Sequence, residues 1–296
     1  MLWIPITIGA AGLQVARNAL QRGLMSGAGP WGATLVRFLF GLPFSIAFAL
    51  VAAALSPLAR PDFSVRYFIA CAICAAAQMI ATAAMLVSMR RSSFALGTVF
   101  QQSSIPLAAV VGLVIGEPLH WAAWLGLMAV TAGLMALAWP RADASAAKAP
   151  RDWSAAGLGL VAGAGFAIAS NAARQAALGL DAHHALLAAQ ASVVTVQAMQ
   201  SAALTAWLAL TNRSALVVAL TSGRASVGAG FFGAAASGLW FTAFALSPAG
   251  PVRAVGVVEM PIAALAGRQV FAERLHAWQW AAAGVAGVGV ALAALG

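Results

Sequence analysis

A lone carboxylate in an apolar stretch is the sharpest chemical feature of this chain. Glu259 is one of seven acidic residues among 296 and stands in the run VVEMPIAAL, two positions before Pro261. An ionised group costs too much in hydrocarbon to face lipid, so this side chain is expected in a bundle interior or a wet cavity. There it would exchange a proton or hold a substrate amine. The competing role is a fixed ion pair with Arg37, Arg253 or Arg268 that only ties helices together.

Amides recur at helical spacing: Gln14 with Asn18, Gln78 with Thr82, Thr98 with Gln101 and Gln102, Asn171 with Arg174 and Gln175, and Gln190 with Gln197. Residues three, four or seven apart share a helix face. An amide both donates and accepts, which suits a polar solute that must be held and then released. The alternative is interhelical bonding alone. Trp240, Phe241 and Phe244, with Phe100, would form an apolar wall for a ring or an aliphatic group, or else pack against lipid. Pro106 and Pro261 each remove a helical N–H and open a carbonyl one turn earlier, so they are expected to act as hinges.

Other reactive types point nowhere in particular. Cys71 and Cys74 form a CxxC inside a lipid-length run with no histidine near, and read as small packed residues. His183 and His184 lie beside Asp181 in what reads as a solvated turn. Acids and histidines are otherwise scattered, so enzyme chemistry is not expected. No GxxxxGK[ST] loop occurs, which disfavours ATP-driven work by this chain.

The elements that must position these groups follow from composition. The chain is 62% hydrophobic and 8% charged, with a mean hydropathy of +0.91. Runs free of Asp, Glu, Lys and Arg cover 38 to 59, 67 to 89, 92 to 116, 118 to 140, 153 to 173, 182 to 212, 225 to 252 and 275 to 296. Each matches the roughly 20 apolar residues that cross a bilayer core as a helix. They are continuous rather than alternating, which favours helices over a barrel. Two interrupted spans, about 3 to 24 and 250 to 271, bring the expected count to ten. The first of these is read as a permanent helix rather than a cleaved leader, having no basic start. The fold class expected is an all-α integral membrane protein.

The stretch RADASAAKAPRD at 141–152 divides the chain nearly in half and reads as a linker between residues 1–140 and 153–296. The halves resemble each other. AAGLQVARNA (10–19) matches GAGFAIASNA (163–172) at five of ten positions, aligning Asn18 with Asn171. IPLAAVVGLVIGEPLHW (105–121) aligns with MPIAALAGRQVFAERLHAW (260–278), matching Pro106 to Pro261, Glu117 to Glu273 and His120 to His276. Five spans per half would set the second copy upside down, the inverted arrangement of many secondary transporters, with a site near the midplane.

The net charge of +9 reads as loop bias in a membrane chain, not as a nucleic-acid footprint. Arg17, Arg22, Arg37, Arg90, Arg91, Arg141, Lys148, Arg151, Arg213, Arg224, Arg268 and Arg274 fall at one set of span ends. Arg60, Arg66, Arg174 and Arg253 fall at the other. The richer side is expected to be cytoplasmic, putting both termini in the periplasm of a bacterial-type inner membrane. Glu117 and Glu273 are expected to mark the starts of the fifth and tenth helices. The small-residue run at 281–296 allows close helix approach, within the chain or in a homodimer.

The segment SSFALGTV, the proline that follows it mid-helix, Glu117 with Leu119, and Gly126 and Gly133 together resemble the EamA repeat of the drug/metabolite transporter superfamily, once per half. Two departures are the missing tryptophan after the first helix's glycine and Glu259 where the first half has Ser104. The resemblance implies ten helices, no bound cofactor and movement of small metabolites, often outward. Its nearest implied activity is export of amino acids, aromatic ones included. A drug or cationic-compound exporter is the alternative, and a membrane scaffold the rival from another class. The partners expected are the lipid bilayer, a small solute and protons. The candidate solute-binding or coupling residues are Glu259, Gln14, Asn18, Arg37, Gln78, Thr82, Gln101, Gln102, Asn171, Gln175, Gln197, Trp240 and Phe244.

Overall fold

A computed structural model describes residues 1–91, 101–138, 153–221, 223–259, 262, 285, 288–289 and 292–293. All regular structure among them is helical: α1 Trp3–Leu39, α2 Leu42–Ala54, α3 Val65–Arg91, α4 Ser104–Val114, α5 Trp121–Ala138, α6 Trp153–Leu180, α7 Ala185–Thr211, α8 Arg213–Thr221, α9 Gly223–Leu246 and α10 Ala249–Val255. A single 3₁₀ turn, Gly256–Val258, follows α10. The linker at 141–152, Thr98, Phe100, Pro261, Arg268, Glu273 and His276 lie outside the described residues.

Five segments are long and apolar enough to cross a membrane: Ala28–Ala54, Val65–Arg91, Ser154–Leu180, Ala185–Thr211 and Ser226–Leu246. Each has 21 or 27 residues, which at about 1.5 Å per residue reaches across a bilayer core. The early part of α1 is not among them, because Gln14, Arg17, Asn18, Gln21 and Arg22 dilute its apolar character.

The second span begins earlier than its charge-free run predicts. α1 breaks at Gly29, whose φ of +68° and ψ of −179° are accessible to glycine at little cost. Pro30 then opens a new helix, where its fixed φ is at home. This span therefore starts about ten residues before position 38 and carries Arg37 inside it. Arg37 is buried, as are Arg17 and Arg253, so none of the three reports on loop charge. Without them the bias is ten against three, the same direction with less weight.

Pro106 does not sit mid-helix either. The chain turns at residues 102–103, and α4 starts at Ser104, leaving Pro106 in its first turn. The Ile105 N–H bonds to the Gln102 carbonyl at 3.0 Å, a tight three-residue closure. In the aligned stretch of the other half, α10 tightens into the 3₁₀ turn at 256–258. Both interruptions thus fall just before the aligned prolines.

α1 packs most closely along α9, and α6 along α3. Gly165 makes the second approach possible, since a Cβ there would lie 2.9 Å from that of Ala81. Three other pairings recur when the halves are exchanged. α1 meets α3 as α6 meets α9, α2 meets α9 as α7 meets α3, and α1 meets the 3₁₀ turn as α6 meets α4. The main core is built largely of alanine, with Cys71 and Cys74 free and buried in it. Gly289 lies against Gly126 and Val130 of α5, so this part of the C-terminal small-residue run is used within the chain.

Candidate functional site

Glu259 ends the 3₁₀ turn and is 2% exposed. Its carboxylate meets the first half of α1: Gln14 Nε2 donates to Oε2 at 2.6 Å and Asn18 Nδ2 donates to Oε1 at 3.2 Å. Arg17 reaches it only through Asn18, donating from Nε at 3.1 Å and Nη2 at 2.7 Å to the Asn18 amide oxygen. The expected ion pair with Arg37 or Arg253 is not formed. Among the described residues Arg174 and Glu117 form an ion pair, and the His184 ring meets the Asp181 carboxylate at 2.9 Å.

Arg37, on the second part of α1, is 1% exposed. It donates from Nη1 to Thr82 Oγ1 at 2.9 Å and from Nη2 to Ser237 Oγ at 3.4 Å, and its Nε has no partner among the described residues. Arg253, on α10, donates from Nε to Ser170 Oγ at 2.7 Å and from Nη2 to the Phe166 carbonyl at 3.2 Å. Its guanidinium lies 5.0 Å from the Trp240 ring centre, 5.4 Å from Phe244 and 5.5 Å from Phe166, within cation–π range. Trp240 and Phe244 stack at 5.6 Å with 22° between their planes. The Trp240 indole N–H, also buried, has no partner among the described residues.

Arg37 and Arg253 share a small cavity. The first half supplies Gln14, Arg37 and Gln78 to its wall. The second supplies the ring faces of Phe166, Trp240, Phe241 and Phe244, the hydroxyls of Ser170 and Ser237, and Arg253. Glu259 is not part of the lining, because Gln14 stands between it and the space. The buried lining atoms that have no partner among the described residues, Arg37 Nε and Trp240 Nε1, are both donors.

Of the candidates named from sequence, Gln14, Arg37, Gln78, Trp240 and Phe244 line the cavity, and Glu259, Asn18 and Thr82 are joined to that wall by hydrogen bonds. Gln78 accepts a hydrogen bond from Gln200 Nε2 at 2.9 Å. The others do not line the cavity. Gln101 and Gln102 are buried at the turn before α4. Asn171 Nδ2 bonds the Ala108 and Ala167 carbonyls at 3.0 Å each, joining α6 to α4. Gln197 accepts from Ser45 Oγ at 2.7 Å, joining α7 to α2. Helical spacing put each on a face but could not say which face meets the cavity.

Gln175 belongs to a second polar cluster. The Schellman end of α4, with Gly116 at φ +87° and the Glu117 N–H bonded to the Gly112 carbonyl at 2.9 Å, delivers Glu117 to α6. Arg174 Nε donates to both Glu117 oxygens, at 3.0 and 2.8 Å, and its Nη1 bonds the Phe244 carbonyl at 2.7 Å. Gln175 Nε2 donates to Glu117 Oε1 at 3.0 Å. Glu117 thus precedes α5 by four residues and acts through this pair rather than at a helix start.

Sequence reasoning missed Arg17, Ser170 and Ser237. Arg17 reads as an end marker by its charge, though its place three residues after Gln14 puts it on the amide face. The two serines carry no signal that separates them from packing serines. At Asp181, burial works to raise the carboxyl pKa, but hydrogen bonds from the His184 ring and from the His184 and His183 N–H groups lower it more. This is the expected turn before α7. No cluster of three or more metal-ligating side chains occurs among the described residues.

No family model matches the chain, and no curated protein matches it. Seventeen chains of solved structures do. One, described as "Crystal structure of protein", aligns over 100% of this chain and 98% of its own length, with a TM-score of 0.59 and 16% identity. A solved protein of nearly the same extent therefore has a similar fold.

Proposed function

We propose that this chain is a secondary transporter that exports small metabolites across a bacterial-type inner membrane by alternating access, with both termini periplasmic. The observation that carries this reading is a buried polar cavity, walled by both halves, among helices of membrane-crossing length. A lipid-embedded bundle that only packed would have no use for three buried guanidiniums and a buried carboxylate, each costly to desolvate.

The pairings that recur when the halves are exchanged support two inverted five-helix repeats. In such a protein the halves rock about a central site. The interruptions before Pro106 and at 256–258 give α4 and α10 places to bend. Glu259, held by Gln14 on the cavity wall, is suited to couple proton uptake to the state of the site. The EamA-type resemblance points to amino acids, aromatic ones included, and the ring-lined wall suits a flat side chain. The alternative, export of cationic compounds, is disfavoured by a lining that carries guanidiniums and no carboxylate.

The test is uptake into proteoliposomes of the purified protein with a panel of labelled amino acids and carboxylic acids, with and without a pH gradient. Accumulation of some solute above protein-free vesicles is expected. Equal leakage with and without the protein for every solute would overturn the reading.

A further inference from the structure

The charges around the cavity do not balance. The buried charged side chains among the described residues are Arg17, Arg37, Arg253 and Glu259. The one carboxylate is drawn toward Arg17 through Asn18 and is screened from the cavity by Gln14. Arg37 and Arg253 face the space with hydroxyls, a carbonyl and rings for partners. Buried guanidiniums without an anion are strongly unfavourable, so the lining formed by the described residues is suited to a solute that brings a counter-charge.

The places where a solute's ammonium would bind are taken. The aromatic box of Trp240, Phe244 and Phe166 already holds the Arg253 guanidinium. The Glu259 oxygens already accept from Gln14 and Asn18. What the wall leaves open is the opposite chemistry, the unpartnered donors Arg37 Nε and Trp240 Nε1. A carboxylate binds most strongly where one of its donors is cationic.

We propose that the solute is an organic anion: a carboxylate on a flat or branched apolar body that lacks an ammonium group. The carboxylate binds Arg37 and the Trp240 N–H, and the apolar body lies along Phe241 and Phe244. In this conformation the space admits about one water molecule, so the apolar body enters only as the halves move apart. This rests on the transporter reading and narrows its solute class from amino acids to their deaminated counterparts.

The experiment compares phenylalanine, phenylpyruvate and the neutral amide of the latter on the full-length protein. Binding is followed by calorimetry in detergent, and movement by uptake into proteoliposomes. Phenylpyruvate is expected to bind at least tenfold more tightly than the other two. Arg37→Gln is expected to remove that preference. If the variant does not fold, the amide comparison on the unaltered protein decides alone. Binding of phenylalanine or the amide equal to that of phenylpyruvate overturns the anion site, and accumulation of phenylalanine in that case leaves the transporter standing. Tight binding of phenylpyruvate with no accumulation of any solute overturns the transporter and keeps the site. Neither binding nor movement of any of the three overturns both.

Discussion

Two polar clusters in this molecule use arginine in opposite ways. Around Glu117 the charges balance: Arg174 meets both carboxylate oxygens, Gln175 adds a donor, and the remaining reach of Arg174 goes to the end of α9. Around Glu259 they do not balance: three buried arginines share one carboxylate, and only Arg17 is linked to it, through Asn18. The first cluster is complete as it stands and reads as a clasp between α6, α9 and the turn after α4. The second is complete only when something else arrives.

The contrast predicts opposite signatures for neighbouring experiments. Arg37→Gln is expected to reduce transport of the anionic solute by about 100-fold, the scale of losing one charged donor from a buried pair. Thermal unfolding in detergent should not be lowered, because an unpaired buried charge is removed. Glu117→Gln should do the reverse, leaving Arg174 half-buried without its counter-charge and lowering stability by about 1–3 kcal/mol. Exchanging the pair, Glu117→Arg with Arg174→Glu, should recover much of that loss. A stability loss at Arg37 as large as that at Glu117 would erase the distinction between the clusters.

Glu259→Gln is the sharper probe of what the central cluster does. Glutamine keeps the size and can still accept a hydrogen bond from Gln14 or Asn18, but it cannot gain or lose a proton. Transport is expected to persist at a reduced rate and to become flat with pH, measured as initial uptake across a pH series. A pH profile unchanged from that of the parent protein would make Glu259 a fixed strut.

How much of this could be read beforehand follows from the same charges. The helices were legible because lipid forbids charge on their outer faces, so a run without Asp, Glu, Lys or Arg reports a span. That logic fails for a residue that faces inward. Arg37 ended a run on paper and lies inside a span in the fold, and Arg17 was counted as loop charge though it is buried beside Asn18. Glu259, Gln14 and Asn18 were legible because polar groups in apolar runs need each other. Asn171, Gln175 and Gln197 satisfy the same rule with partners away from the cavity, the Ala108 carbonyl, Glu117 and Ser45, and spacing does not separate the two outcomes. Pro106 was legible as a place of weakness, though the break falls before it rather than at it.

The smallest expected effect tests the comparison within the aligned halves themselves. Asn18 and Asn171 occupy matching positions on α1 and α6, and each reaches across to the other half: Asn18 touches Glu259, while Asn171 touches the Ala108 carbonyl. Asn171→Ala removes an ordinary interhelical hydrogen bond, worth about 0.6 kcal/mol in membrane bundles, and should leave transport nearly as it was. Asn18→Ala removes the link between Arg17 and the carboxylate, so its stability cost should be similar in size while its pH profile shifts. The two variants start from one ancestral-looking position and differ only in whether the partner can titrate. Identical pH profiles for both would mean that Glu259 does not sense Arg17, and the central cluster would then need its counter-ion for packing alone.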